Sequence, residues 1–403
     1  MKELDNLVSI TLATTKSQDI LTYFDLDFDT EFNKTKIEGI IINYLEKIVS
    51  KNDILKKKIV ILNNKTYIKN VDNFELKDYY KIKYTKHEKF DKYIEKINDD
   101  FSNESNWFSF WCIDIKNKKG RLYFKIDHAY ADGYKIMEIL CNINDTKKLQ
   151  KERPNRVYYI FIGTLLLLIS YIKFFFKCIF SYFNTEKEEN EKTCFIKMPA
   201  LKLNEVKTYC KKHKIKVNDF LYTLMIHGHS LYLNDFKNFT SVSPINVSKD
   251  KYSNNMCPLF LTINNSKDIH TLSRSVHDTF NNCKYSLFIP FLFSIIRICP
   301  KFLNISLLSS GYNLIMEKNI DFLYSNIMGP SKKELDAEFK KMSLGGMFNI
   351  NNAHYLTTSL GITYNIISYE NNINVIVSYK KNKITNKRKY KKCFLEAFNK
   401  LIH

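Results

Sequence analysis

Glycine, alanine, proline and arginine are scarce: the chain holds ten glycines and seven prolines in 403 residues. Lys, Asn, Ile, Tyr and Phe take their place, the imprint of an AT-biased coding sequence that fills neutral surface positions with Lys and Asn. The formal charge of +20 is therefore poor support for a nucleic-acid partner. No run of aromatics with arginine suggests base stacking, and no zinc-finger or glycine-rich RNA motif occurs. A diffuse positive surface still suits an anionic membrane face or a polyanionic cofactor. The nine cysteines contain no CxxC, are odd in number and lie far apart. This excludes a disulfide framework and a zinc site, and no metal is expected. No GxSxG is present to supply a serine nucleophile. The start, MKELDNLVSI, lacks a basic segment followed by an apolar core, so no signal peptide is expected. No short internal repeat is visible.

A length of 403 residues suggests two domains, and an apolar share of 45% is enough to build their cores. Leu7 to Thr14 reads as a first strand. Thr35 to Ser50 reads as an amphipathic helix and Lys58 to Val71 as a hairpin turning at Asn63-Asn64. Asp91 to Phe101 reads as another helix. Trp107 to Ile115 is a strand joined through Lys116–Gly120 to a second one. Beyond Phe195, helices are expected at Leu203–Lys212, with Asn204 as cap, and at Asn218–Leu233, capped by Asn218 or Asp219. Strands follow at 240–247, 259–263 and 322–326, and a strand pair spans 360–379. Helices are expected over 271–282 and 390–402. The implied class is α/β throughout, with residues 1–150 and 195–403 as two halves.

The stretch Arg121 to Leu140, RLYFKIDHAYADGYKIMEIL, carries the candidate chemistry. Leu122, Phe124 and Ile126 alternate with polar residues, the period of a half-buried strand. His128 ends the strand, Asp132 and Gly133 close a turn, and Ile136, Ile139 and Leu140 fall at helical spacing. Each residue also has an ordinary structural use: a histidine after a strand, an aspartate as helix N-cap, a glycine in a turn. Nothing in these residues alone displaces that reading.

Between the halves, Val157 to Phe183 is strongly apolar and free of charge up to Lys173. The uncharged run spans about 24 Å as a helix, short of the roughly 20 residues that cross a bilayer. Three readings stay open: an interfacial or re-entrant helix, a span with snorkelling lysines, and a buried core helix. Asn184 to Lys192 reads as a charged, exposed connector, so that 151–194 is expected to be an apolar membrane-associated segment with its connector. Ser286 to Leu308 is a second apolar region, cut by Pro290 and Pro300.

Several stretches, in order, resemble the wax ester synthase/diacylglycerol acyltransferase family of bacterial and plant type, within the CoA-dependent acyltransferases. The family's HHxxxDG motif is similar to Asp127-His128-Ala129-Tyr130-Ala131-Asp132-Gly133. The Trp-led strand is similar to WFSFWCIDIKNKKG, the valine-Asn-Asp helix start to Val217-Asn218-Asp219, and the Pro-containing strand to SVSPINV. The SNxxGP turn is similar to Ser325-Asn326-Ile327-Met328-Gly329-Pro330, and a late strand to Ser368-Tyr369. The likeness runs over essentially the whole chain. HxxxDG alone is weak; the ordered set is specific. Two positions depart: Asp127 stands where the family has its first histidine, and Asn246 to Ser248 stand where an arginine usually follows the Pro-led strand.

The resemblance implies an α/β (α+β sandwich) fold of two chloramphenicol-acetyltransferase-like halves, mixed sheets flanked by helices, with a channel between them. It implies acyl transfer from acyl-CoA, as co-substrate and with no bound cofactor, to a lipid hydroxyl: a long-chain alcohol giving wax ester, or diacylglycerol giving triacylglycerol. His128 would be the general base, Asp132 a structural support and Gly133 the turn. Asp127, Asn218, Asp219, Ser325, Asn326, Gly329 and Pro330 would support the site. The alternatives are transfer to a small alcohol, sterol or polyketide-like hydroxyl, and a non-catalytic lipid-binding protein on the same fold. The two apolar regions add an expected place, monotopic on the cytosolic face of an endoplasmic-reticulum or lipid-droplet type membrane, with a single pass as the minor option.

Overall fold

The computed structural model describes residues 2–3, 19–28, 33–62, 65–100, 106–141, 157–183, 193–246, 256–284, 286–298, 319–329, 348–357 and 361–402. The first part contains β1 (Lys2–Glu3), β2 (Asp19–Phe28), α1 (Lys34–Lys51), β3 (Lys57–Leu62), β4 (Lys65–Asn70), β5 (Tyr80–Tyr84), α2 (Lys92–Asp100), β6 (Trp107–Asp114), β7 (Lys119–Asp127) and α3 (Gly133–Cys141). The long helix α4 (Val157–Phe183) follows. The second part contains β8 (Thr193–Lys197), β9 (Leu201–Lys202), α5 (Leu203–His213), α6 (Val217–Leu233), β10 (Phe239–Asn246), β11 (Met256–Ile263), α7 (Ile269–Lys284), α8 (Phe288–Ile298), β12 (Phe322–Met328), β13 (Phe348–Thr357), β14 (Ile362–Tyr369), β15 (Asn372–Lys380) and α9 (Lys387–Ile402). The expected strand at Leu7–Thr14 lies outside the described residues.

Two mixed sheets carry the molecule. The N-terminal sheet runs β13-β2-β7-β6-β5, and the C-terminal one β11-β10-β12-β14-β15-β8, with β9 also on β15. A small β1-β4-β3 sheet stands apart from both. β13 comes from the second half yet pairs antiparallel with β2, from Phe348 opposite Phe28 to Thr357 opposite Ile20. The two halves therefore share a strand.

β7 is buried on both faces, not on one as its alternation suggests. Leu122, Phe124 and Ile126 pack with Ile37, Ile41 and Leu45 of α1. On the other face, Tyr123 packs with Tyr23, Phe195 and Ile376, the last two from the second half. The polar residues of that face are covered by the other half and so must find internal partners. Arg121 donates to Asp25 at 2.6 Å and to Asp91 at 2.6 Å, and Lys125 reaches Asp19 at 2.7 Å. Burial raises the Asp25 carboxyl, but the His354 ring 3.7 Å away and the charge of Arg121 outweigh this and hold it well below the usual carboxylate range.

α4 docks lengthwise on the second half. Leu167, Phe174 and Cys178 are buried on its inner side. Tyr171 donates its hydroxyl to the Pro258 carbonyl at 2.8 Å and accepts the Phe260 N–H at 3.2 Å. A side chain on Gly163 would collide with the Asn282 carbonyl of α7, so glycine permits that crossing. Among the described residues no helix is long and apolar enough to cross a membrane.

Candidate active site

The site is built at the end of β7. Asp127 is the last strand residue, opposite Asp19 in β2. Its main-chain N–H donates to the Asn106 carbonyl, and its carbonyl accepts Tyr130 N–H at 3.0 Å, which closes a turn around His128. The Asp127 carboxylate accepts Ala129 N–H at 2.8 Å. Tyr130 ties the turn to β3, its hydroxyl accepting the Ile59 N–H at 2.5 Å.

Asp132 ends the turn as the N-cap of α3. Its carboxylate accepts Lys135 N–H at 2.8 Å, and its carbonyl accepts Ile136 N–H at 3.0 Å. Both of these contacts are with main-chain donors of α3. The arginine of this face, Arg121, is taken by Asp25 and Asp91 instead.

His128 is only partly accessible. Burial pushes its ring below the ordinary value of 6.5, while a hydrogen bond to its own carbonyl and the charge of Asp132 act in the opposite sense. The net effect favours the neutral imidazole. A neutral ring that donates through one nitrogen carries its lone pair on the other, which is the form a general base requires.

Asp127 behaves differently. Burial, reinforced by the neighbouring Asp19, raises its carboxyl to about 6, against the pull of Ala129 N–H and Lys125. The position where the family places a histidine therefore carries a carboxyl that burial and Asp19 hold well above the ordinary carboxylate range.

The second half supplies a separate cluster. The Asn218 side-chain oxygen accepts the Tyr324 hydroxyl at 3.1 Å and the Asn326 amide at 3.0 Å. Asn218 is not a helix cap. α6 begins one residue earlier with Lys216 as N-cap, and Asp219 accepts the Lys216 N–H at 3.0 Å. Asp219 is buried and also accepts from His277 Nδ1 at 2.6 Å, while His277 Nε2 faces the Asn281 amide at 2.8 Å. His277 has no motif to announce it; only the packing of α7 on α6 brings it there. Asn204 is likewise not a cap: Lys202 holds that position in α5, and Asn204 N–H donates to the Asn371 side chain.

Ser325 accepts the Tyr355 hydroxyl on its carbonyl at 2.7 Å, linking β12 to the exchanged strand β13. A side chain on Gly329 would run into the Ser368 carbonyl, so the chain there requires glycine. Pro330 lies outside the described residues. The two motif groups meet at one point. A methyl on Gly133 would lie inside the Ile327 side chain, and Ile327 is buried with Ala131 and Ile136 in the N-terminal core. The turn holding His128 and the strand holding Asn326 thus abut through Gly133 and Ile327.

Residues 254–402 match the model of the WS/DGAT C-terminal domain. That stretch includes the Ser325–Pro330 motif, whereas His128 and Asn218 lie before it. None of the curated proteins matches the sequence. Among solved structures, the chain is similar to the wax ester synthase/diacylglycerol acyltransferase from Marinobacter aquaeolei VT8, with a TM-score of 0.64 at 9% identity over 99% of this chain and 98% of that one. It is also similar to TRI3 trichothecene 15-O-acetyltransferase from Fusarium sporotrichioides, with a TM-score of 0.66 at 13% identity over 99% and 94%. A third likeness is to the starter condensation domain of rhizomide synthetase RzmA in complex with C8-CoA and Leu-SNAC, with a TM-score of 0.53 at 8% identity over 100% and 92%. These identities establish the shared two-half acyltransferase fold. Residues 254–402 thus carry a likeness to the WS/DGAT C-terminal domain, and the chain as a whole has the fold of these acyltransferase structures.

Proposed function

We propose that the chain moves a fatty acyl group from acyl-CoA to a lipid hydroxyl, a long-chain alcohol or diacylglycerol, with His128 as general base. The observation that carries this reading is a histidine whose ring is biased towards the neutral form by burial and bonds to its own carbonyl, in a capped turn that abuts the second half. An alcohol is a weak nucleophile and needs its proton removed as it attacks. His128 takes that proton while the hydroxyl oxygen bonds to the thioester carbon. The tetrahedral adduct then collapses, the carbon–sulfur bond breaks, and the imidazolium returns the proton to the CoA thiolate. The products are an ester and free CoA, with no covalent enzyme intermediate. Asp132 fixes the turn and favours the transient imidazolium by its charge. Asn218, Asn326 and Tyr324 hold the facing wall in one arrangement.

The test is CoA release from palmitoyl-CoA with a fatty alcohol, a diacylglycerol, a sterol and a short alcohol as acceptors, run beside His128→Ala. Turnover with the fatty alcohol or diacylglycerol that vanishes in the variant supports the reading. Turnover confined to the short alcohol or sterol would replace the lipid acceptor by a small one, and undiminished turnover in the variant would remove His128 from the mechanism.

A further inference from the structure

α4 and α8 lie far apart in the sequence but side by side in the fold. The Thr164 hydroxyl oxygen accepts Leu287 N–H at 3.0 Å, and the Tyr171 ring meets Phe288 edge-on at 4.9 Å. With their inner sides packed on the second half, both helices turn apolar residues outward. On α4, Phe161, Leu165, Ile172, Phe175 and Phe176 recur at helical spacing opposite buried Leu167 and Phe174. Phe161 is 72% and Phe175 64% exposed, and on α8 Phe291 is 59% exposed. Leu287, just before α8, extends this surface at 59% exposed, and elsewhere among the described residues only Leu233 and Leu395 are exposed large apolar side chains, each standing singly. The apolar surface is therefore concentrated on one face, the pattern of an interaction site rather than of ordinary surface scatter.

We propose that this face docks the enzyme on the surface of a phospholipid bilayer rich in anionic headgroups, with α4 lying in the interface. The inner side of α4 is occupied by protein, so lipid reaches only the outer side. The described positions of the α4 stripe offer no hydrogen-bonding group, and on α8 the exposed Ser294 hydroxyl is turned back onto the Pro290 carbonyl at 2.9 Å, whereas an interface with another protein carries about one hydrogen bond per 100–200 Å². Lys173, exposed on the flank of the stripe, can extend to the headgroups while its stem lies on apolar surface. The charge also matches. The chain carries +20 overall, and the sequence leading into α4 holds Lys147, Lys148, Lys151, Arg153 and Arg156 against Glu152 over residues 147–156. Basic residues beside an amphipathic helix select anionic lipid. The stripe from Phe161 to Ile179 spans about 27 Å, enough to hold the helix in the interface along several turns. This docking does not depend on the acyl-transfer chemistry, although a lipid acceptor would meet the enzyme on that side.

The experiment is flotation of the full chain with vesicles of phosphatidylcholine alone and of phosphatidylcholine with phosphatidylserine, alongside sedimentation without lipid. The wild-type chain is expected to float with the anionic vesicles and about tenfold less with the neutral ones. The variant F161S/F175S/F291S, altered only at exposed positions, is expected to lose flotation while keeping the wild-type melting curve. Lys173→Glu, which leaves the apolar stripe intact, is expected to weaken binding to anionic vesicles several-fold and to leave neutral vesicles unaffected. Flotation of the triple variant equal to wild type would overturn the proposal. So would a lipid-indifferent chain that sediments as a dimer and becomes monomeric in the triple variant, because the occupant would then be a second copy.

Discussion

The two sides of the site are built by different means. The His128 turn is made from its own neighbourhood. Asp127 holds Ala129 and Asp132 holds Lys135, both through main-chain N–H groups no more than three residues away. The facing cluster joins residues more than a hundred positions apart, and it does so through side chains: Asn218 with Tyr324 and Asn326. A local turn keeps its shape as long as its caps remain. A cluster of side chains keeps its shape only while two elements stay docked. The first side holds His128, the proposed base, and the second holds the Asn218 cluster of the other half. The two should therefore fail differently when altered.

The largest expected effect is on the chemical side. On the proposed mechanism His128→Ala removes the base while leaving both caps in place, so kcat is expected to fall by about 10² to 10⁴-fold with little change in melting temperature. The wild-type acid limb of kcat/KM is expected below pH 6.5, because burial lowers the imidazole and keeps the base form present further into acid. A limb above 6.5 would mean that the charge of Asp132 outweighs burial.

Asn218→Ala should break the other side. It leaves the buried Tyr324 hydroxyl and the Asn326 amide without their shared acceptor, at a cost of about 1–3 kcal/mol in stability. Because the wall also shifts, kcat/KM is expected to fall by up to about 10²-fold. Denaturant unfolding and steady-state kinetics read both. Loss of activity with unchanged stability would show that Asn218 acts on substrate and not through its two partners.

This contrast also explains what the sequence disclosed. β6, β7 and α3 were legible because alternation and then helical spacing surround HxxxDG, and the caps lie inside the motif itself. α4 was legible as a helix from its composition, with bounds at Val157 and Phe183. β13 was not, because FNINNAHYLT has weak alternation and its partner β2 lies more than three hundred residues away. β2 escaped for a related reason: Asp19, Asp25 and Asp27 interrupt its apolar pattern, and their charges make sense only beside Lys125, Arg121 and Lys119. Asn218 looked like a helix cap from its position, and only the proximity of β12 shows where its side chain goes. Local chemistry reads from one stretch; pairing across the fold does not.

Gly133 is where the two sides touch. Gly133→Ala is expected to cost about 1–3 kcal/mol by overpacking against Ile327. Ile327→Val deletes the terminal methyl that the new side chain would strike. The double variant is expected to be more stable than the sum of the single changes predicts, by about 0.5 kcal/mol or more. Strict additivity in urea unfolding would mean that the two halves are not in contact there.

The smallest effect, and the most diagnostic of this chain, concerns Asp127. Its carboxyl is raised to about 6 in the folded state from an ordinary 3.8. Folding therefore favours the protonated form, a contribution that is complete below the unfolded value and lost as pH rises through about 6. At neutral pH the chain carries a largely buried carboxylate beside Asp19, offset in part by Lys125 and the Ala129 N–H. Asp127→Asn keeps an oxygen for the Ala129 N–H and removes the charge. It is expected to raise stability at about pH 7 by about 1–2 kcal/mol, with the gain shrinking to nothing by about pH 4, where both side chains are neutral. Urea unfolding at the two pH values checks this. A variant less stable than wild type at neutral pH would mean that the ionised Asp127 is held favourably by Lys125. The aspartate in place of the family's histidine would then be a structural anchor of the His128 turn, not a tolerated replacement.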